Sequence, residues 1–130
     1  MKKPKRPVKP ADFETELQAL LESAPSPIAR IAGRLVRWLI AGNPDLAPVV
    51  RRGWRSMNFR HPKAGFVCGV FPLADHVCLV FEHGRLLDNT VGLLEGDHLK
   101  QVRFINFRPG GAIPFDEIGV LLTEAIALRT

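Results

Sequence analysis

Cys68, His76, Cys78 and His83 are the residues whose types could do chemistry close together in this chain. Thiolate and imidazole are ligands for zinc and other transition metals. Period-two alternation along two neighbouring strands places Cys68, His76 and Cys78 on one sheet face, with His83 at the strand end. No Cys-x-x-Cys pair accompanies them, whereas structural zinc sites usually show paired close ligands. Free cysteine commonly behaves as a small hydrophobe, so packing is the expected role. A cross-strand disulfide between Cys68 and Cys78 is conceivable in geometry but disfavoured in a reducing compartment.

Anion binding has two candidate sites. The loop from Gly92 to Arg103 carries Gly92 and Gly96 beside Lys100 and Arg103, and backbone N–H groups of such a loop can cradle an anion. It lacks the Gly-Lys-Ser/Thr of a phosphate-binding loop and any dinucleotide fingerprint, so a connecting loop is the simpler reading. Arg30, Arg34 and Arg37 share one helix face, and Arg51, Arg52 and Arg55 follow. Such a cluster suits phosphate or an acidic partner, or else forms a solvated helix face. No nucleophile elbow, His-Glu-x-x-His motif or close carboxylate pair is present, which predicts a protein that is not an enzyme.

The elements that must position these residues follow from periodicity. Phe13, Leu17, Leu20 and Leu21 recur at helical spacing behind Asp12 as N-cap, which predicts a helix over 12–22. Ser26 caps a second helix with Pro27 at its first position and Ile28, Ile31, Leu35, Trp38 and Leu39 as the apolar stripe. Residues 45–52 read as a further helical turn interrupted by Pro48. Four strands follow over 54–59, 65–71, 76–82 and 101–107, each rich in β-branched and aromatic residues. The second and third form a hairpin across residues 72–75. Val67, Gly69 and Phe71 are expected on the core face with Val77, Leu79 and Phe81, and Phe66, Cys68 and Val70 on the opposite face with His76, Cys78 and Val80. A last helix over 114–128 buries Ile118, Leu121, Leu122, Ala125 and Ile126. Strands between helices predict an α+β fold, an antiparallel sheet covered by helices.

The chain has 130 residues, a one-domain length, and 46% hydrophobic residues. Its net charge of +5 is unevenly placed. Lys2, Lys3, Lys5, Arg6 and Lys9 stand among the first ten residues with no acid, and the remainder holds 13 basic against 13 acidic residues. A disordered basic tail over 1–11, able to touch polyanions weakly, is expected ahead of a single domain over 12–130. No apolar run is long enough to span a bilayer, and no signal-peptide core follows the basic start, which predicts a cytoplasmic protein with reduced cysteines. Exposed sheet edges leave monomer and homodimer both open.

The run from Gly53-Trp54 through Gly65-Phe66-Val67-Cys68-Gly69-Val70-Phe71-Pro72, His76-Val77-Cys78-Leu79, Gly92-Leu93-Leu94-Glu95-Gly96 and Lys100-Gln101-Val102-Arg103 resembles the YdhG-like family of small bacterial proteins. The resemblance covers residues 28–128. It implies a frataxin-like two-layer sandwich with the terminal helices on one sheet face. It also implies a role for one branch of that family, intracellular iron delivery, in which Fe(II) would be cargo and Glu14, Glu16, His76 and Cys78 the candidate ligands. Trp54, His76 and Lys100 fall on the family's recurrent positions. With Cys78 and Arg103 they form the expected ligand surface on the sheet face the helices leave open. The first expectation is a non-enzymatic binding domain for a small ligand or protein partner, with no cofactor. The alternatives are an iron chaperone and a weak nucleic-acid binder using the tail and the arginine face.

Overall fold

A computed structural model describes residues 10–130, with side chains from Phe13 onward. Of the tail expected over 1–11, residues 1–9 lie outside the described residues, as do the side chains of 10–12, while residues 10 and 11 open a helix, which puts Asp12 inside its first turn rather than at its cap.

The helix expected from residue 12 runs Pro10–Glu22 (α1). The second runs Ser26–Gly42 (α2). Ser26 is its first helical residue rather than its cap. Pro25 takes the cap position with no side-chain bond, and the Ala29 N–H reaches the Pro25 carbonyl at 2.9 Å. Asn43 closes the helix by donating from Nδ2 to the Leu39 carbonyl at 3.0 Å. Buried Ile28, Ala32, Leu35, Val36 and Leu39 form its inner stripe, and Ile31 and Trp38 flank it half-buried.

The helical turn expected over 45–52 is instead the strand Ala47–Arg51 (β1). Val49 and Val50 favour extended backbone, and Pro48 is tolerated because β1 lies at the sheet edge. The next strand is Ser56–His61 (β2), later than expected. Trp54 therefore leaves the sheet. It ends a 3-10 turn, Arg52–Trp54, which hands over to β2 through Arg55 in left-handed conformation at φ 51°. Gly65–Pro72 (β3) and Val77–Phe81 (β4) form the expected hairpin, closed by Leu73 N–H to the His76 carbonyl at 2.8 Å. Arg103–Phe107 (β5) and Phe115–Ala127 (α3) complete the chain. The fold is α+β, with one five-stranded antiparallel sheet in the order β1-β2-β3-β4-β5 and helices from both ends of the chain.

Register fixes the faces. Pairing of Val70 with Leu79, Cys68 with Phe81, Met57 with Val70 and Leu79 with Ile105 defines the helix-side rows. These side chains join Leu17, Ile28, Leu35, Leu39, Ile118 and Leu122 in one core. The expected faces hold for Phe66, Val67, Val77, Leu79 and Phe81 and fail over residues 68–71 of β3. A bulge between β2 and β3 makes Phe59 pair with Cys68 and Arg60 with Phe66, which leaves Val67 as the extra residue. Cys68 and Val70 consequently face the helices, while Gly69 and Phe71 face away. One extra residue inverts every side chain beyond it in a structure of period two.

Candidate functional site

The helix-free sheet face is built from cross-strand rows. Gly69 pairs with Asn58 and with Val80, and Val80 pairs with Phe104. In the next row Phe71 pairs with Cys78 and Cys78 with Asn106, while Ser56, one residue before Met57, pairs with Arg51. Arg60 pairs with Phe66 at the other end. Phe66, Phe71, Cys78, Val80 and Phe104 are all half-exposed.

Beneath this surface the centre is closed. Ser56 and Asn58 are buried, and the Ser56 hydroxyl donates to Asn58 Oδ1 at 3.3 Å. A side chain at Gly69 would meet Asn58 Oδ1 at 2.8 Å, Phe71 Cε1 at 3.1 Å and Phe66 Cζ at 3.4 Å. The two rings therefore converge over the glycine, and its missing Cβ lets them do so. Arg51 Nε, on the neighbouring edge strand, is buried without a hydrogen-bond partner among the described residues.

The sequence-predicted site residues separate into three places. Cys78, paired with Phe71, lies on the helix-free face, and His76 stands just before β4. His76 Nδ1 lies 2.7 Å from Asp75 Oδ1, and Arg108 Nη1 lies 3.4 Å from Asp75 Oδ2. The hydrogen bond to His76, then the charges of His76 and Arg108, hold the Asp75 carboxyl below its ordinary range. Trp54 projects into solvent at 69% exposure from the β1–β2 connection, at the same sheet end. Lys100 and Arg103 lie at the opposite end, about 17 Å away along the strands at roughly 3.4 Å per residue.

Arg103 is committed to its own loop. Its Nη1 donates to the carbonyls of Leu99 at 3.0 Å and Val102 at 2.7 Å, and its Nε lies 3.7 Å from Asp97. Lys100 is exposed. Gly96, at φ 105°, sits under the Phe104 ring, whereas Gly92, at φ 80°, is open to solvent space. The segment runs as a connecting loop into β5.

The expected metal ligands do not converge. Cys68 lies in the core and Cys78 on the far face, so the β3 register corrects the shared face expected for them, and both cysteines are free thiols, as expected. Burial pushes the Cys68 thiol up to about 12. Burial, then the nearby Glu95 carboxylate, pushes Cys78 up to about 11. Both are poor thiolate donors near neutrality. Glu16 receives Arg52, with Nη2 to Oε1 at 2.9 Å, and Glu14 is exposed on α1. His83 contacts Arg129 at the end of α3. Among the described residues no group of three His, Cys, Asp or Glu is placed to hold a metal ion. Arg30, Arg34 and Arg37 are exposed on the helix layer, and Arg34 lies over the Phe115 ring at 5.7 Å.

Sequence reasoning missed Phe66, Phe71, Arg51 and Arg60 as one surface. A usable signal was present: residues 46–74 contain no acid, yet hold Arg51, Arg52, Arg55, Arg60 and Lys63. It also missed an apolar groove of about 280 Å³ between residues 88–93 and α3, lined by Val91, Leu93 and Val120 and rimmed by Asp88, Glu117 and Glu124.

No helix among the described residues is long and apolar enough to cross a membrane. Comparison with family models, with curated proteins and with solved structures returned no match for this chain.

Proposed function

We infer that this protein is a binding module and not a catalyst, and that it engages a small ligand or protein partner through the helix-free face of its sheet. The observation that carries this reading is a set of partly exposed apolar side chains, Phe66, Phe71, Cys78, Val80 and Phe104, on the cross-strand rows around the buried Ser56 and Asn58. Apolar side chains left partly open on a sheet face are candidates for a binding surface. The nucleophile candidates argue for binding over chemistry. Both thiols stay protonated near neutrality, and Ser56 donates to an amide oxygen rather than to a base.

Amide NMR of the labelled full chain, titrated with a set of small aromatic and aliphatic probe molecules, tests the reading. Probe-induced shifts should concentrate on residues 56–60, 66–71 and 78–80. Shifts confined to the groove between residues 88–93 and α3 would overturn it.

A further inference from the structure

The strands β1, β2 and β3 form a half-sheet with no acidic residue. Between Asp45 and Asp75 every formal charge is positive. Arg52 is answered by Glu16 from α1. Arg51 and Arg60 lie on the helix-free face, one toward each end of the Phe71–Phe66 pair. Their spacing follows from register: Arg51 shares the row of Ser56, Arg60 the row of Phe66, and Asn58 with Gly69 lies between.

Both rings reach the space above Gly69. Both stand in β3, on either side of Gly69, and each is only partly exposed. Two positioned aromatic rings flanked by guanidinium groups suit one kind of partner: a flexible polyanion that also carries planar faces. Bases stack on aromatic rings whatever their identity, and arginine meets phosphate as a fork. An acidic peptide would use the arginines and leave the rings unstacked. The favoured occupant is therefore a nucleic acid strand with unpaired bases.

Resting on the open-face reading above, we propose that the β1–β3 half of this face binds single-stranded nucleic acid, with bases stacked on Phe66 and Phe71 and phosphates held by Arg51 and Arg60. This places the contact on the sheet rather than on the arginine face of α2. A compact duplex has its base faces occupied by stacking and gains little from the rings.

The test is amide NMR and affinity measurement on the full chain with a single-stranded uridine octanucleotide, beside an equally charged poly-glutamate peptide. Shifts at residues 56–60 and 66–71 are expected. Phe71→Leu and Phe66→Leu should each weaken binding about tenfold. Arg60→Gln should lower the salt slope by about one, and Arg37→Gln on α2 should change neither quantity. Arg60 is exposed, so its variant keeps the test alive if a phenylalanine variant unfolds. Equal binding of poly-glutamate, shifts confined to α2 or to residues 1–9, or affinity indifferent to both phenylalanines and to Arg60 would overturn the proposal. If the octanucleotide leaves the face untouched while small probes still shift it, the nucleic-acid assignment alone fails. If neither touches the face, the open-face reading fails with it.

Discussion

Cys68 shows how one residue's burial reaches the behaviour of the whole chain. Its thiol is fully enclosed, and burial raises its pKa from the ordinary 9.0 to about 12. The folded pKa is raised, so the associated stability is complete below pH 9 and lost as pH rises toward 12. Each pH unit in that window removes about 1.4 kcal/mol. Cys78, raised to about 11, loses stability over the same interval, so urea unfolding at pH 8 and pH 10 should show a fall on the order of 2 kcal/mol, and Cys68→Val should remove about half of it. Trp54 is the opposite case. At 69% exposure its replacement by Phe should shift stability by less than about 0.5 kcal/mol and should abolish the iodide-quenchable part of the tryptophan emission, leaving half-buried Trp38. The sequence could not separate these cases. Trp54 was read as a strand residue because aromatics favour strands, and the left-handed Arg55 that ejects it from the sheet carries no glycine to announce it. Cys68 was read onto the wrong face because nothing in Gly65-Phe66-Val67-Cys68 marks a bulge.

At the level of elements, the close approach of the 3-10 turn Gly84–Leu86 to β5 is the most constrained joint. A Cβ on Gly84 would lie 2.6 Å from the Arg103 backbone nitrogen and 2.5 Å from its Cβ. Backbone cannot step aside as a side-chain tip can. Gly84→Ala should cost about 1–3 kcal/mol and loosen β5, measured by denaturant unfolding and by faster amide exchange at residues 103–107. Gly69→Ala meets the end of the Asn58 side chain and two ring edges. It should cost less than Gly84→Ala and should displace both rings on the helix-free face. Periodicity located α1, α2, α3, β3, β4 and β5 to within a few residues, because each buries a regular stripe. It failed at β1, a short edge strand whose Pro48 reads as a disrupted helix when its pairing to β2 is unknown. The long connection over 86–102 was legible only as a loop. Its order comes from contacts invisible in sequence: Asn89 clamping both backbone groups of Leu94 at 2.9 and 3.0 Å, and the bridge between Glu95 and Phe104.

For the molecule as a whole, layering sorts the charges and the apolar surface. Helices bury one sheet face and carry Arg30, Arg34 and Arg37 on the outside. The other face joins an acid-free half-sheet to the half-exposed rings of Phe66, Phe71 and Phe104. The candidate site was partly legible, since Cys78 does lie on that face. Trp54, Lys100 and Arg103 were grouped with it by position in the chain, and strand direction sends them to other places. The central claim is that the rings on this face are a binding surface and not merely a lid over Gly69. Its most direct test is a side-by-side amide NMR titration of the wild-type chain and Phe71→Ser with the same small aromatic probes. The account predicts shifts on residues 56–60 and 66–71 in the wild type and at least tenfold weaker binding in the variant, with the remaining spectrum intact. Indistinguishable titrations of two folded proteins would contradict it.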